Sequence, residues 1–388
     1  MKVTLVSTFP PRRCGIGDFT AGYASELLRY SSGLQLRVLT YRDGVNESTM
    51  ATGRMEIARE LEPRISSKRM AELLRRSDPD IVHFQSSTFL HRPSVNAAIA
   101  DACNFPLVTT VHDTPRSWRL FYTIPSLRRV YNKSRFLIAH SLEVSHALSV
   151  FHNIDSGRIV ITPLGVDTSR FHPNANREGA VRLYGLEDRR TILYFGFLRP
   201  GKGIETLLKA WRGMKDGYPD ATLVIAGGTP TAARQYGLMH DETEYPSRLR
   251  TLAQELGLET SVRFTGYVPA EVVPGLLAAA SIIVLPYLGR ISQSGPLHQA
   301  MSSGRPIVAS QLQGFQSLIE DGKNGLLVPA ADETALASAI RRLLDDRFFA
   351  ETLGRNAREL AERTLAWPIV VKRSAELYSA ALDSREVT

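Results

Sequence analysis

Residues 191–211, TILYFGFLRPGKGIETLLKAW, carry three signals in one short stretch. Thr191–Phe195 has no charge and is rich in β-branched and aromatic side chains, which predicts a buried strand. Gly196, Gly201 and Gly203, with Pro200, mark a sharp turn. Ile204, Leu207, Leu208 and Trp211 then recur at helical spacing, so a helix is expected from Ile204 to about Met214. Strand, glycine turn and amphipathic helix make one βα unit of a parallel sheet. Arg199 and Lys202 flank the turn. Arg can grip phosphate oxygens with two N–H groups, Lys acts as a point charge, and the helix start adds its dipole. The loop therefore reads as a diphosphate seat or as two solvated surface cations.

The same alternation extends in both directions. Downstream strands are expected at Ala221–Ala226, Val262–Thr265, Ser281–Pro286, Pro306–Ala309 and Gly325–Val328. Helices are expected at Pro246–Leu256, Ala270–Ala279, Pro296–Ser302 and Glu333–Leu344. Upstream, strands are expected at Val3–Ser7, Leu34–Leu39, Ile81–Phe84, Leu107–Val111, Phe136–Ala139 and Ile159–Thr162. Ala21–Arg29, Lys68–Arg76, Pro93–Ala102 and Glu143–Val150 read as the helices between them. A turn-rich polar stretch, Pro173–Gly179, separates the two series. The fold class is α/β, with two doubly wound domains and a boundary near 173–188. Ligands in such sheets bind beyond the carboxyl ends of the strands, so two facing domains would share a cleft.

Composition narrows the class. The chain has 388 residues, 43% apolar and 22% charged, which fits a globular protein and excludes wholesale disorder. Cys14 and Cys103 cannot form a disulfide framework, and neither has metal-ligand spacing to a second Cys or His. That sparse cysteine suits a reducing cytoplasm. No secretory signal is evident, and the longest uncharged stretch, Val272–Gly289, is too interrupted by Pro and Gly to span a membrane.

Net charge is +8, and residues 1–176 hold most of it, with 22 Lys+Arg against 15 Asp+Glu. The densest part is Arg116–Arg135, where Arg116, Arg119, Arg128, Arg129, Lys133 and Arg135 interleave with Trp118, Phe121, Tyr122 and Tyr131. Three readings stay open: a peripheral contact with anionic membrane, a nucleic-acid surface, or an ordinary solvated face.

Two further loops could hold a ligand. Strand Val3–Ser7 leads into Pro10-Pro11-Arg12-Arg13-Cys14-Gly15-Ile16-Gly17-Asp18, ahead of a helix. Glycine lets backbone approach a ligand, and a helix start offers free N–H groups to an anion. Thr20 replaces the third glycine of a dinucleotide fingerprint, so a tight turn without ligand is the other reading. The third region is Ser292-Gln293-Ser294-Gly295-Pro296-Leu297-His298-Gln299. Ser294, the Gly295 amide and Gln299 could bond a ligand at the helix start, or serve as an N-cap and surface polar residues.

Taken in order, these segments resemble the retaining, nucleotide-sugar-dependent glycosyltransferases of family 4. The resemblance spans nearly the whole chain. It rests on GFLRPGKGIETLLKAW, LVIAGG, VRFTGYVP, AAASIIVLPY, QSGPLHQAMSSGRPIVAS and LIEDGKNGLLVPAAD, and on TTVHDTP and ITPLGVDTSRFHP upstream. It implies the GT-B architecture, two Rossmann-like domains facing across a cleft. Residues 1–175 would be the acceptor-binding domain and 186–366 the nucleotide-sugar domain. Residues 367–388, opened by Trp367, would form a helix crossing back to the first domain.

By the same resemblance, Gly15 and Gly17 lie against the donor, and His112 stands close to the transferred sugar. Arg199 and Lys202 bind the diphosphate, with Gln293, Ser294 and Gly295 lining the sugar and phosphate pocket. Gln299 stands where the ribose-binding carboxylate usually sits. The family's Glu-x7-Glu positions hold Ile291 and Gln299 here, a version similar to a subgroup with Gln-Ser-Gly before the helix. Phe197 replaces an Arg that commonly follows the first glycine, and Arg199 would supply that cation.

The implied function is a metal-independent retaining transfer of a hexose, mannose or glucose type, from a GDP- or UDP-linked donor, with no cofactor. The acceptor would be a glycan, a lipid-linked sugar or a small molecule, and the location cytoplasmic or peripheral at the inner membrane face. A fixed cation pair stabilises the leaving diphosphate most when its charge is fullest. His112 follows an apolar strand at its carboxyl end, where a doubly wound site belongs, although a structural histidine would fit there too. His83 reads as structural. Asp18 reads either as an acceptor ligand or as a plain first-turn acid. The alternatives are a nucleotide-sugar 2-epimerase on the same fold, or a non-catalytic membrane-associated subunit with a decayed site.

Overall fold

The computed structural model describes residues 1–43, 49–88, 90–114, 123–229, 244–289 and 291–383. The chain divides into two units, Met1–Gly165 with Trp367–Thr388, and Val166–Ala366.

The first unit holds β1 (Lys2–Val6), β2 (Gln35–Tyr41), β3 (Thr49–Thr52), β4 (Met55–Leu61), β5 (Ile81–Ser86), β6 (Leu107–Val111), β7 (Phe136–Ala139) and β8 (Ile159–Ile161). They form one sheet in the order β3-β4-β2-β1-β5-β6-β7-β8, parallel except for the β3–β4 hairpin. Strand pleating sends alternate residues to opposite faces. Val3, Leu5 and Ile81 pack with helix Gly15–Tyr30 and helix Trp367–Asp383. Val6, Val82 and Phe84 pack the other way, against helices Ser67–Ser77, Pro93–Ala102, Ile124–Lys133 and Leu142–His152.

The second unit holds β9 (Arg190–Phe195), β10 (Ala221–Ala226), β11 (Val262–Gly266), β12 (Ile282–Leu285), β13 (Ile307–Ser310) and β14 (Leu326–Val328). Their order is β11-β10-β9-β12-β13-β14, all parallel. Helices Arg177–Tyr184, Ile204–Arg212, Tyr245–Glu255, Val273–Ala279, Gly295–Ser302, Glu333–Asp345 and Arg347–Leu360 cover it. Both units are therefore Rossmann-like α/β layers. The strand order reverses at β1/β5 in one and at β9/β12 in the other, and such switch points open crevices at the carboxyl ends.

The structure corrects several boundaries. Val166 and Phe171 already belong to the core of the second unit, so the first division falls at Gly165 and not at residue 175. The polar stretch after Pro173 contains helix Arg177–Tyr184, capped by the Asn176 side chain at the Gly179 amide. The hairpin β3–β4 was not foreseen. Its charges hide the strand pattern, because Glu60 is paired across the sheet edge with Arg37 and Arg76.

Trp367 explains how the last helix joins the first unit. Its ring packs on Phe19 and Tyr23, with centroids 5.4 and 6.2 Å away. Gly165 makes room: a Cβ there would lie 1.9 Å from the indole. Further along, the Tyr378 hydroxyl bonds the Tyr23 hydroxyl at 2.9 Å and His83 Nδ1 at 2.6 Å.

Candidate functional site

In the first unit the candidate residues gather at the carboxyl ends of β1, β5 and β6. The helix after β1 begins at Gly15, earlier than expected, so Gly15 and Gly17 sit in its first turn and not in a loop ahead of it. Cys14 gives no side-chain cap, and the first intrahelical bond is Asp18 N to Cys14 O at 3.0 Å. The amides of Gly15, Ile16 and Gly17 are the end groups a helix leaves for an outside acceptor. Open space lies in front of Gly15, and a Cβ on Gly17 would make only ordinary contact with Phe9 and Thr8 at 3.5 Å. Thr20 ties this helix to the end of β1 through a 2.8 Å bond to Ser7 Oγ. Asp18 is open to solvent, yet desolvation lifts its carboxyl to about 6.

His112 follows β6. Its backbone amide donates to Ser86 O at 2.9 Å, and its Nε2 bonds the Gln85 amide oxygen at 2.8 Å. Phe19, one residue after Asp18, meets the imidazole edge-on at 5.1 Å between centroids, and His140 lies 4.8 Å away. Desolvation, then the neighbouring His140 and His83, hold the His112 pKa well below the ordinary histidine value. The ring is therefore neutral at physiological pH, and what it can offer a ligand is a hydrogen bond and not a charge. Asp113 is committed to the adjoining turn, accepting from Ser87 Oγ at 2.6 Å and the Thr88 amide at 2.7 Å. His83 is fully buried between Tyr378 and Thr110 and lies inside the core.

In the second unit the loop after β9 and the segment after β12 meet at the switch point. Gly203 caps helix Ile204–Arg212 with a φ of +68°, and a Cβ there would lie 1.8 Å from Pro286 O. Leu288 N donates to Gly201 O at 2.9 Å, closing the two loops together. Lys202 Nζ sits 3.6 Å above the Tyr287 ring, and Arg199 stands exposed beside it. Neither cation has an ion-pair partner among the described residues. Desolvation and then Arg199 lower the Lys202 pKa to about 7.

Helix Gly295–Ser302 starts over the same place, with Pro296 close to Gly196. Ser294 is its N-cap, accepting from Leu297 N at 3.3 Å, so the capping reading of this serine holds. Gly295 faces open space. Gln293 Oε1 is buried and has no hydrogen-bond partner among the described residues. Gln299 is half-buried on the same helix. The structure thus brings Arg199, Lys202, Ser294 and Gly295 to one switch point, and Gly15, Gly17, Asp18 and His112 to another.

Two family profiles divide the chain between them. "Glycosyltransferase Family 4" matches residues 23–170, and "Glycosyl transferases group 1" matches residues 189–346. Among solved structures, the Thermosynechococcus elongatus sucrose-phosphate synthase superimposes with a TM-score of 0.81 at 20% identity, covering 99% of this chain and 100% of that one. Anabaena HepE, solved with UDP and glucose, superimposes with a TM-score of 0.75 at 19% identity, over 98% and 99% of the two chains.

The chain is a glycosyltransferase with the GT-B fold. Curated relatives agree with that class. A Mycolicibacterium smegmatis GDP-mannose-dependent alpha-(1-6)-phosphatidylinositol monomannoside mannosyltransferase is 28% identical, over 98% of this chain and 99% of that protein. A Corynebacterium urealyticum D-inositol 3-phosphate glycosyltransferase is 30% identical over 75% of this chain and 65% of that protein.

In this transferase, sequence reasoning missed Tyr287, Gln85 and Phe19. Tyr287 could have been found, because it closes an apolar strand at a carboxyl end. Gln85 and Phe19 touch His112 only through the fold. Of the basic stretch, Arg116, Arg119, Trp118, Phe121 and Tyr122 lie outside the described residues. Arg128 donates to the carbonyls of Phe151 and His152, and Arg129 pairs with Asp101, so part of that charge is already engaged. No helix among the described residues is long and apolar enough to cross a membrane.

Proposed function

We propose that this transferase moves a hexose from a nucleotide-diphosphate sugar to a carbohydrate or lipid-linked acceptor, with retention of anomeric configuration. GDP-mannose is the first donor to try, since two curated relatives matched over nearly their whole length are named for it. The observation that carries the reading is Lys202: a desolvated amine without a carboxylate partner among the described residues, beside Arg199 and at the mouth of a glycine turn. Such a group awaits an anion.

In this reading Arg199 and Lys202 hold the diphosphate and stabilise it as it leaves. The Gln293 amide oxygen, buried and unsatisfied, takes a donor N–H or O–H, with the Gly295 amide and Ser294 beside it. Gln299 takes the ribose. The free amides of the Gly15–Gly17 turn face the donor. His112, neutral and fixed by Gln85, accepts from or donates to a hydroxyl of the transferred sugar. Asp18 serves the acceptor. No metal is assigned a role. The basic helix Ile124–Lys133, beside the exposed Val150 and Phe151, is the surface we assign to an anionic membrane.

The test is a panel of GDP- and UDP-sugars with native protein, Arg199→Ala and Lys202→Ala. Native protein is expected to hydrolyse or transfer at least one donor, with product stereochemistry read by NMR. Each variant should lose about 100- to 1,000-fold in rate, the scale for removing one oxyanion donor. Full rate in both variants rejects the seat, and an inverted product rejects retention.

A further inference from the structure

The second unit has an open cavity of about 960 Å³ far from the Lys202 loop. Arg190, at the start of β9, and Ser281 and Pro306, just before β12 and β13, line it. These are the amino ends of the strands whose carboxyl ends carry the diphosphate seat. Strands of four to six residues separate the two rims by roughly 13–20 Å.

Seven of the lining residues are arginines and three are acids. Most of the arginines are already occupied. Arg190 is held by Asp220 at 2.6 Å, Arg347 by Glu351 at 2.7 Å, and Arg358 by Glu362 and the Thr168 carbonyl. Arg177 and Arg305 differ. Arg177 is exposed at the first turn of its helix and makes no hydrogen bond or ion pair among the described residues. Arg305 is half-buried. One terminal nitrogen donates to Pro173 O at 3.0 Å, while its Nε is enclosed with no acceptor among the described residues. Desolvation, and then the positive charge of Arg177, depress its pKa, against a smaller opposing pull from the Glu351 carboxylate.

Arg177 and Arg305 line one cavity and repel each other, and the nearby Glu351 carboxylate is taken up by Arg347, so the pair favours an added anion. Phosphate geometry matches guanidinium forks. Val181, Leu186, Leu343 and Leu344 add an apolar stretch of wall, so an organic body fits beside the charge. The volume lies in the range of small-molecule sites. We propose that this rim binds a small phosphomonoester of the sugar-phosphate class, with Arg177 and Arg305 on the phosphate, separately from the nucleotide seat.

The experiment titrates the full chain with a hexose 6-phosphate, the same hexose without phosphate, and inorganic phosphate. It compares native protein, Arg177→Ala and Lys202→Ala by calorimetry and melting temperature. Arg177 is exposed and makes no hydrogen bond or ion pair among the described residues, so its removal leaves the fold intact. The hexose phosphate should bind at millimolar concentration, more tightly than inorganic phosphate, and the plain hexose should not bind. Arg177→Ala should weaken binding by about tenfold or more, and Lys202→Ala should leave it unchanged. Binding that survives Arg177→Ala but disappears in Lys202→Ala overturns the proposal, since the nucleotide seat has then captured the phosphate. Equal affinity for inorganic phosphate overturns the sugar-phosphate assignment, and no binding overturns the site. No readout depends on transfer activity.

Discussion

Lys202 carries the sharpest consequence at the scale of single residues. With its pKa lowered to about 7, much of the free protein holds a neutral amine at mildly alkaline pH. A bound diphosphate favours the ammonium form, so binding above that pH must take up a proton. Nucleoside-diphosphate affinity should therefore fall as pH rises through about 7, and calorimetry in buffers of different ionisation enthalpy should show the uptake. A flat affinity across that range would leave Lys202 outside the seat. The sequence displayed Arg199 and Lys202 plainly, because cations in a glycine turn are a local signal. It could not display the lowered pKa, whose main cause is desolvation that arises only when the chain folds and segments such as that of Tyr287 close over the loop. The His112 environment was hidden for the same reason: Gln85, Phe19 and His140 reach it from three other elements.

Among elements, the last helix shows how packing overrides sequence order. Tyr378 bridges Tyr23 and His83 in the core of the first unit. Tyr378→Phe should leave both partners short of a bond and cost about 1–3 kcal/mol, measured by denaturant unfolding. A change within error would show that the two groups re-pair without it. The central parallel strands were legible because burial on both faces makes them continuous apolar runs. Met55–Leu61 was not legible, since Glu56, Arg59 and Glu60 interrupt it. The structure answers those charges with Arg37, Arg76 and the Pro10 carbonyl, partners no local pattern names. Helix Arg177–Tyr184 was masked in a similar way, by a polar lead-in that also supplies its cap.

Taken as a whole, the molecule buries histidines as neutral rings. His83 and His91 are lowered to about 3, and His152 and His298 to about 4, all chiefly by desolvation. Below the ordinary value of 6.5 the unfolded chain binds protons that the folded chain refuses. Stability is thus fully present above about 6.5 and is lost as pH falls toward the folded values, at up to about 1.4 kcal/mol per group per pH unit. Melting temperature should drop steeply between about pH 6.5 and about pH 4, and a level profile there would contradict this burial. The paired crossing of the chain, where Val166 bonds Leu365 at 2.8 Å and bridges to Ala366, has a separate consequence. One unit is inserted into the other. During translation the inserted unit can finish first, while the earlier-made sheet waits on the ribosome with one apolar face covered only by helix Gly15–Tyr30 until Trp367 and its helix emerge.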